Sequence, residues 1–183
     1  MIRKLQMHQR ERYTCVHHDI SCFPYPERIK HLTLHLAKYA AALAHEYNTP
    51  TEFIRTVVDV FIVCLSAAEI LEIDLSNVAE KWGASTADQS PLIKPGLAIW
   101  ERESKVDVRQ GSYFRDLSII VGRMAAACEA LDHRESVHYR SVLHDPIVEL
   151  CRISFIMASA LSLDLMSAVT GRWQEAKAPE ISD

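Results

Sequence analysis

Glycine is scarce in this sequence, and so are the turn dipeptides that separate short strands. Only five glycines occur in 183 residues, and residues that favour helices dominate the chain. A protein of many short strands needs glycine-rich turns at regular spacing. The shortage therefore favours an all-α fold.

Several motifs that carry chemistry are also missing. The sequence contains no G-x-x-x-x-G-K-[ST] phosphate loop and no G-x-S-x-G nucleophile elbow. The N-terminus, MIRKLQMHQRER, has no apolar signal core. The longest apolar run, 57–68, is interrupted by Asp59 and is too short to span a bilayer. We therefore expect a cytoplasmic protein that does not enter a membrane.

The charge balance and the cysteines limit the kind of ligand and the cellular compartment that we expect. The formal net charge is -4, and there is no basic stripe of the kind that a dedicated nucleic-acid binder shows. A single nucleotide ligand stays compatible, because one small site needs only local charge. The odd number of cysteines, without a disulfide framework, indicates a reducing compartment. These cysteines are Cys15, Cys22, Cys64, Cys128 and Cys151.

Composition and helix signals divide the chain into five segments. Prolines and polar residues before position 27 indicate an N-terminal arm. A connector follows the first helical region and is expected to contain a short helix around Leu97–Lys105, because an unstructured segment of this length is unusual in a compact domain. The expected segments are an arm (1–26), a first helical repeat (27–82), a connector (83–112), a second helical repeat (113–175) and a tail (176–183).

Helix boundaries are marked by caps and prolines. Pro26 opens a helix expected over 27–47, and Thr49-Pro50-Thr51-Glu52 marks the start of a central helix expected over 50–72. Asp74 begins a short helix that ends near Gly83. In the second half, Asp145 before Pro146 is the expected N-cap of the long helix there.

The two halves carry the same pattern. Residues 31–47 align without a gap on 116–132, a shift of 85 positions, and residues 57–75 align on 147–165, a shift of 90. The alignment pairs Asp74-Leu75 with Asp164-Leu165. Each helical hairpin alone would expose an apolar face, so the two are expected to pack together as one domain with a four-helix-bundle core and short extra helices.

These residues resemble a known family. The segment His31-Leu-Thr-Leu-His-Leu-Ala-Lys-Tyr-Ala-Ala-Ala-Leu43 resembles the first helix of the MazG-like all-α nucleoside triphosphate pyrophosphohydrolases. Asp59-Val-Phe-Ile-Val-Cys-Leu and Leu163-Asp-Leu-Met-Ser-Ala-Val169 resemble later parts of the module. The resemblance implies a bundle that splits a nucleoside triphosphate into a monophosphate and pyrophosphate. It also implies Mg²⁺ held by Glu-Glu-x-x-Glu on one helix and Glu-x-x-Asp on the next.

The acids of that pattern are mostly absent from this chain. The first helix has Lys38, Tyr39 and Ala42 at those positions, and the second has Thr56 and Asp59. In the second copy the equivalent positions are Arg123, Met124 and Ala127, followed by Pro146 and Glu149. Two isolated carboxylates, Asp59 and Glu149, are a poor ligand set for a hard cation that prefers several oxygens. The resemblance therefore indicates a protein that has lost hydrolysis.

A basic face is one replacement for the lost metal site. His31, His35 and Lys38 are spaced to share one face of the first helix, and Arg123 is the counterpart of Lys38. Arg152 lies one turn beyond Glu149. Such a face would bind phosphate directly. The plainer alternative is a solvated polar stripe, with Glu149 and Arg152 paired along their helix.

The spacing of possible ligand residues also allows two alternative zinc sites. His31 and His35 have the separation of paired metal ligands on a helix. The N-terminal segment holds a denser cluster of ligand types, namely Cys15, His17, His18, Asp19 and Cys22. Neither set matches a complete zinc module, so a polar surface is the alternative in both cases.

Three functions stay open. The first is a MazG-like relative that binds a nucleotide or another phosphorylated small molecule without hydrolysing it, and so needs no cofactor. The second is an active pyrophosphohydrolase with displaced acids, which would need Mg²⁺. The third is a helical protein–protein interaction module. Relatives of this fold commonly dimerise, so a homodimer is expected unless the duplicated chain supplies both halves of that unit itself.

Overall fold

A computed structural model describes residues 2–44, 49–82, 110–133, 136 and 138–175. All regular structure in these ranges is helical. The helices are α1 (Ile2–Val16), α2 (His18–Ser21), α3 (Tyr25–Ala44), α4 (Pro50–Ile70), α5 (Leu75–Lys81), α6 (Gln110–Asp132), α7 (Tyr139–Ala160) and α8 (Leu165–Glu175). The expected short helix around Leu97–Lys105 and the tail lie outside the described residues.

The N-terminal segment differs from the expected arm, because residues 2–16 form α1, which packs against α4. Its buried face includes the polar residues Gln6 and Gln9, so the sequence of the segment lacks a clear apolar face. Gln6 Nε2 donates to the carbonyl of Ile73 at 2.9 Å, and Gln6 Oε1 accepts from the backbone N–H of Leu75 at 3.0 Å. One side chain thus binds α1 to the turn between α4 and α5.

The start of α4 follows the sequence signal. Thr49 Oγ1 accepts from the backbone N–H of Glu52 at 3.2 Å, and Glu52 Oε2 accepts from the backbone N–H of Thr49 at 2.8 Å. This reciprocal capping box satisfies two N–H groups that the helix itself cannot pair. The hydrogen bonds from Thr49 lower the pKa of Glu52.

The start of α7 corrects one expectation. The helix begins at Tyr139, with His138 as its N-cap residue, so Pro146 lies inside it and Asp145 is not the N-cap. Proline at this depth removes one backbone donor, which would have bonded the carbonyl of Val142. Val142 is exposed, so water can replace that donor at small cost.

The four long helices pack in a closed order. Helix α3 contacts α4 and α6, and α7 contacts the same two helices from the other side. Their inward faces and part of α1 form one hydrophobic core, with Phe61 of α4 and Phe155 of α7 in contact at its centre. The short helices are exchanged between the halves: α5 contacts α7, and α8 contacts α4.

The junctions that follow α4 and α7 have the same hydrogen bonds. The N–H of Ile73 donates to Ala68 O at 2.8 Å, and the N–H of Leu163 donates to Ala158 O at 2.8 Å. Each is the long bond of a Schellman motif, which closes a helix by reversing the chain. Asp74 and Asp164 then cap α5 and α8 through their Oδ1 atoms.

No single described helix combines the length and apolar composition of a membrane span. Among the described helices, only α7 and α8 taken together reach that length and composition, and they meet at a bend of 102°.

Candidate functional site

The polar residues predicted on the first helix do share one face of α3. The rings of His31 and His35 lie 4.6 Å apart, and His35 contacts the ring of Tyr39 edge-on at 6.2 Å. Burial lowers the pKa of His35 to about 4 and raises that of Tyr39 to about 12. Burial also lowers the pKa of His31. Near pH 7 this face therefore offers neutral donors and acceptors, with its positive charge at Lys38.

Asp59 is paired with an arginine from the other end of the chain. Arg172 of α8 donates from Nε to Oδ1 at 2.7 Å and from Nη2 to Oδ2 at 3.3 Å. The side chain of Asp59 is only 14% exposed, and that of Arg172 is 23% exposed. The hydrogen bonds with Asp59 raise the pKa of Arg172. A fork of this geometry holds the carboxylate in one orientation.

A cavity of about 130 Å³ lies beside this ion pair, between α1, α4 and α8. We call it the Asp59 cleft, and its polar lining comprises Gln9, Arg12, Tyr13, His17, Asp59, Arg172 and Trp173. The Oε1 of Gln9 and the Nε1 of Trp173 are buried and have no hydrogen-bond partner among the described residues. The Tyr13 hydroxyl, on another lining residue, is also buried without a partner in the described structure. Buried polar atoms are normally paired, so three residues of the cleft wall carry unsatisfied polar groups.

The corresponding region of the second half is apolar. Where α3 has His35 and Tyr39, α6 has Ile120 and Met124, which are 1% and 0% exposed. Glu149 is held by Arg152, whose Nε donates to Oε2 at 2.9 Å along the same helix. Among the described residues, the polar positions His35 and Tyr39 of α3 thus have apolar counterparts on α6.

The predicted basic residues are not all brought together. Lys38 lies at the rim of the α3 face, with its Nζ 5.1 Å from the centroid of the Tyr39 ring. Arg123 is exposed on α6, and no contact joins it to Lys38 or to the Asp59 cleft in the described parts of the chain. Arg152 pairs with Glu149 at a separate place. Among the described residues, no contact joins Arg123 or Arg152 to the polar face of α3.

The residues present do not fit the Mg²⁺ ion that the family resemblance implies. Asp59 and Glu149 are each engaged by an arginine, and the positions of the remaining family acids hold no carboxylate. Across the described ranges, no group of three or more His, Cys, Asp or Glu side chains converges as a metal site. Cys15 and Cys22 are exposed free thiols.

Most polar residues of the cleft were not predicted as site residues: these are Gln9, Arg12, Tyr13, Arg172 and Trp173, whereas His17 was predicted only as a zinc ligand. Gln9 and His17 belong to the segment expected to be an arm, and Arg172 lies 113 positions from the aspartate that it binds. One sequence signal for Arg172 existed. It directly precedes Trp173, near the end of the second helical repeat, as Lys81 precedes Trp82 near the end of the first. A cation at both places indicated a role at the end of the short helix.

Comparison with protein-family models, curated proteins and solved structures gave no match to this chain.

Proposed function

We propose that this protein is a duplicated, non-hydrolytic relative of the MazG-like pyrophosphohydrolases that binds the phosphate group of a nucleotide or other phosphorylated small molecule. The proposed site is the Asp59 cleft. The observation that carries the proposal is the largely buried ion pair between Arg172 and Asp59, which fixes a guanidinium at the wall of the cleft.

The duplication is supported by features beyond the sequence alignment. The Schellman bonds after α4 and α7 match in position and length, and Asp74 and Asp164 cap the helices that follow. The exchange of short helices is reciprocal as well. Two unrelated hairpins have no reason to share all three features.

An anionic ligand group is favoured by the N–H donors around the cleft. Arg12 and Arg172 line it together with the carboxylate of Asp59, and Arg172 Nη1 also contacts Glu175 Oε2 at 3.4 Å. Lys38 lies nearby on α3. An arginine that already binds a carboxylate keeps a further N–H available, since guanidinium carries five donors. The Trp173 Nε1 supplies another donor for a phosphate oxygen.

The volume limits what the cleft can enclose. Sites that bury a drug-sized ligand measure about 300–1,000 Å³, whereas this cleft measures about 130 Å³. It can enclose a phosphoryl group, and the rest of a nucleotide would lie outside, towards Lys38 and Tyr39.

The absence of hydrolysis follows from the same contacts. A metal-dependent pyrophosphohydrolase needs several free carboxylates to hold Mg²⁺ and to position an attacking water. Here Asp59 is oriented by Arg172, and Tyr39 stays protonated near neutral pH because burial raises its pKa to about 12. Neither group is suited to act as a base.

The test combines thermal shift with pyrophosphate release, using a panel of nucleoside triphosphates and Mg²⁺. We expect stabilisation by a phosphorylated compound, as for any ligand selective for the folded state. We expect turnover below about 0.01 per second, well under ordinary enzyme rates. Faster turnover would refute the non-hydrolytic assignment.

Lys38 and Arg123 supply a matched pair of variants, because they are equivalent in the two halves and both are exposed. Lys38→Glu should reduce the ligand-induced shift, and Arg123→Glu should leave it unchanged. Equal effects of the two variants would mean that general surface charge, and not the cleft, attracts the ligand.

A helical interaction module is the second candidate, and one observation favours it. Leu34 and Ile119 occupy equivalent positions on α3 and α6 and are 65% and 56% exposed. Light scattering across a concentration series tests this candidate, with a second copy of the chain as the partner. A dimer that becomes monomeric in a Leu34→Lys, Ile119→Lys variant would support it, and a monomeric parent protein would count against it.

A further inference from the structure

A second cavity, of about 270 Å³, lies on the other side of Tyr13 from the Asp59 cleft. It is formed by α1, the start of α3 and the end of α4, and we call it the Arg28 cavity. Its lining includes Arg10, Tyr13, Tyr25, Arg28, Glu69 and Glu72. The proposed function does not use it.

Most of the charge around this cavity is already neutralised. Arg10 Nη1 lies 3.0 Å from Glu69 Oε1, and Arg140 Nη1 lies 2.9 Å from Glu72 Oε2. Both carboxylates are therefore paired. No carboxylate of the described residues forms an ion pair with Arg28, so its guanidinium is the one charge of the lining that these pairs leave uncompensated.

Arg28 is held in place by aromatic rings. Its guanidinium carbon lies 5.6 Å from the centroid of Tyr13 and 6.0 Å from that of Tyr25. Cation–π contacts orient the group but do not neutralise its charge. The Nε of Arg28 is buried without a hydrogen-bond partner in the described structure. A buried charged donor of this kind is costly unless something pairs with it.

We propose that the Arg28 cavity binds a small organic carboxylate, with its carboxylate group on the Arg28 guanidinium. The planar fork of arginine matches a carboxylate with two parallel hydrogen bonds. Because the Arg28 guanidinium is the one uncompensated positive charge, a ligand with a single negative charge matches it. A phosphate monoester carries nearly two negative charges at neutral pH, and its second charge would face Glu69 and Glu72. The tyrosine rings and Ile70 supply apolar surface for the rest of the molecule.

Benzoate is a suitable probe, with benzamide as its uncharged analogue and inorganic phosphate as the competing anion. Binding is followed by NMR on ¹⁵N-labelled full-length protein, through the Arg28 Nε–H signal. We expect benzoate to move this signal in a saturable way, at least tenfold more tightly than benzamide or phosphate. No saturation by benzoate up to about 10 mM, which is weaker than millimolar affinity, would overturn the proposal, as would equal binding of benzamide.

Variants locate the site. Arg28→Gln should weaken benzoate binding at least tenfold, and Arg28→Lys should weaken it by a smaller factor, because lysine keeps the charge but loses the fork. Arg115→Gln is the control, since Arg115 is an exposed arginine on α6 paired with its neighbour Asp116. If Arg28→Gln does not fold, the Arg28→Lys comparison decides: affinity unchanged from the parent protein would overturn the assignment.

Discussion

Glu72 and Ser162 adopt the same left-handed backbone conformation, with φ angles of 61° and 50°. Each follows the last turn of a long helix, α4 or α7, at the position of a Schellman motif that glycine most often fills. They are the only non-glycine residues with positive φ in the described part of the chain. Both halves thus have a strained turn after the long helix.

Replacing Ser162 with glycine should stabilise the protein. A residue with a Cβ pays about 1–2 kcal/mol for the left-handed conformation, and the greater freedom of glycine in the unfolded chain offsets part of that gain. We expect a net increase of about 0.5–1 kcal/mol in the free energy of unfolding, measured by urea denaturation. Ser162→Ala, which removes only the hydroxyl, should show no gain. A Ser162→Gly variant less stable than Ser162→Ala would contradict the account of the turn.

Replacing Gln6 with leucine tests the docking of α1. The change leaves the Ile73 carbonyl and the Leu75 N–H buried without their partner. Each unsatisfied group costs about 1–3 kcal/mol, so we expect a loss of about 2–4 kcal/mol and faster hydrogen exchange in α1. Glu11→Ala, at an exposed position of the same helix, should do neither. Normal stability of Gln6→Leu would mean that α1 is not held in this way.

The sequence predicts those parts of the fold that depend on local signals. The capping box at Thr49 and the Asp74 cap are short-range patterns, and they give the starts of α4 and α5. Helix α1 is missed because two of its buried residues are glutamines, Gln6 and Gln9. A glutamine is buried only where specific partners meet it, and those partners lie more than fifty positions away.

The sequence predicts the polar face of α3 but not the cleft that α1, α4 and α8 form. Helical spacing places His31, His35 and Lys38 on one face. Spacing cannot show that burial makes His35 neutral, or that Arg172 reaches Asp59 across the bundle. Both facts depend on how α8 and α1 cover α4, which is set by tertiary packing.

The ion pair between Arg172 and Asp59 should contribute measurably to stability. Both side chains are largely buried, and a hydrogen bond to a charged group contributes about 1.5–3 kcal/mol. Arg172→Gln should lower the free energy of unfolding by about that amount. Arg140→Gln, which breaks the exposed pair with Glu72, should cost no more than about 1 kcal/mol. Similar losses in the two variants would show that the Asp59 pair is solvated.

His35 should make stability depend on pH. Its pKa is about 4 in the folded protein against 6.5 for an exposed histidine. Between these values the unfolded chain binds more protons, so stability falls as the pH drops from 6.5 towards 4. His35→Gln should flatten that part of the profile, and His144→Gln, on an exposed histidine, should not. A melting temperature of the parent protein that is constant across this window would refute the burial of a neutral His35.

The proposed binding of a phosphate group in the Asp59 cleft is tested most directly by NMR of the tryptophan indoles. Trp173 lines the cleft, whereas Trp82 contacts Phe155 at another part of the core. Titration with pyrophosphate should shift the Nε1–H signal of Trp173 in a saturable way and leave that of Trp82 in place, and Arg172→Gln should abolish the change. A Trp173 signal that does not move, or one that moves equally in the Arg172→Gln variant, would contradict the proposal.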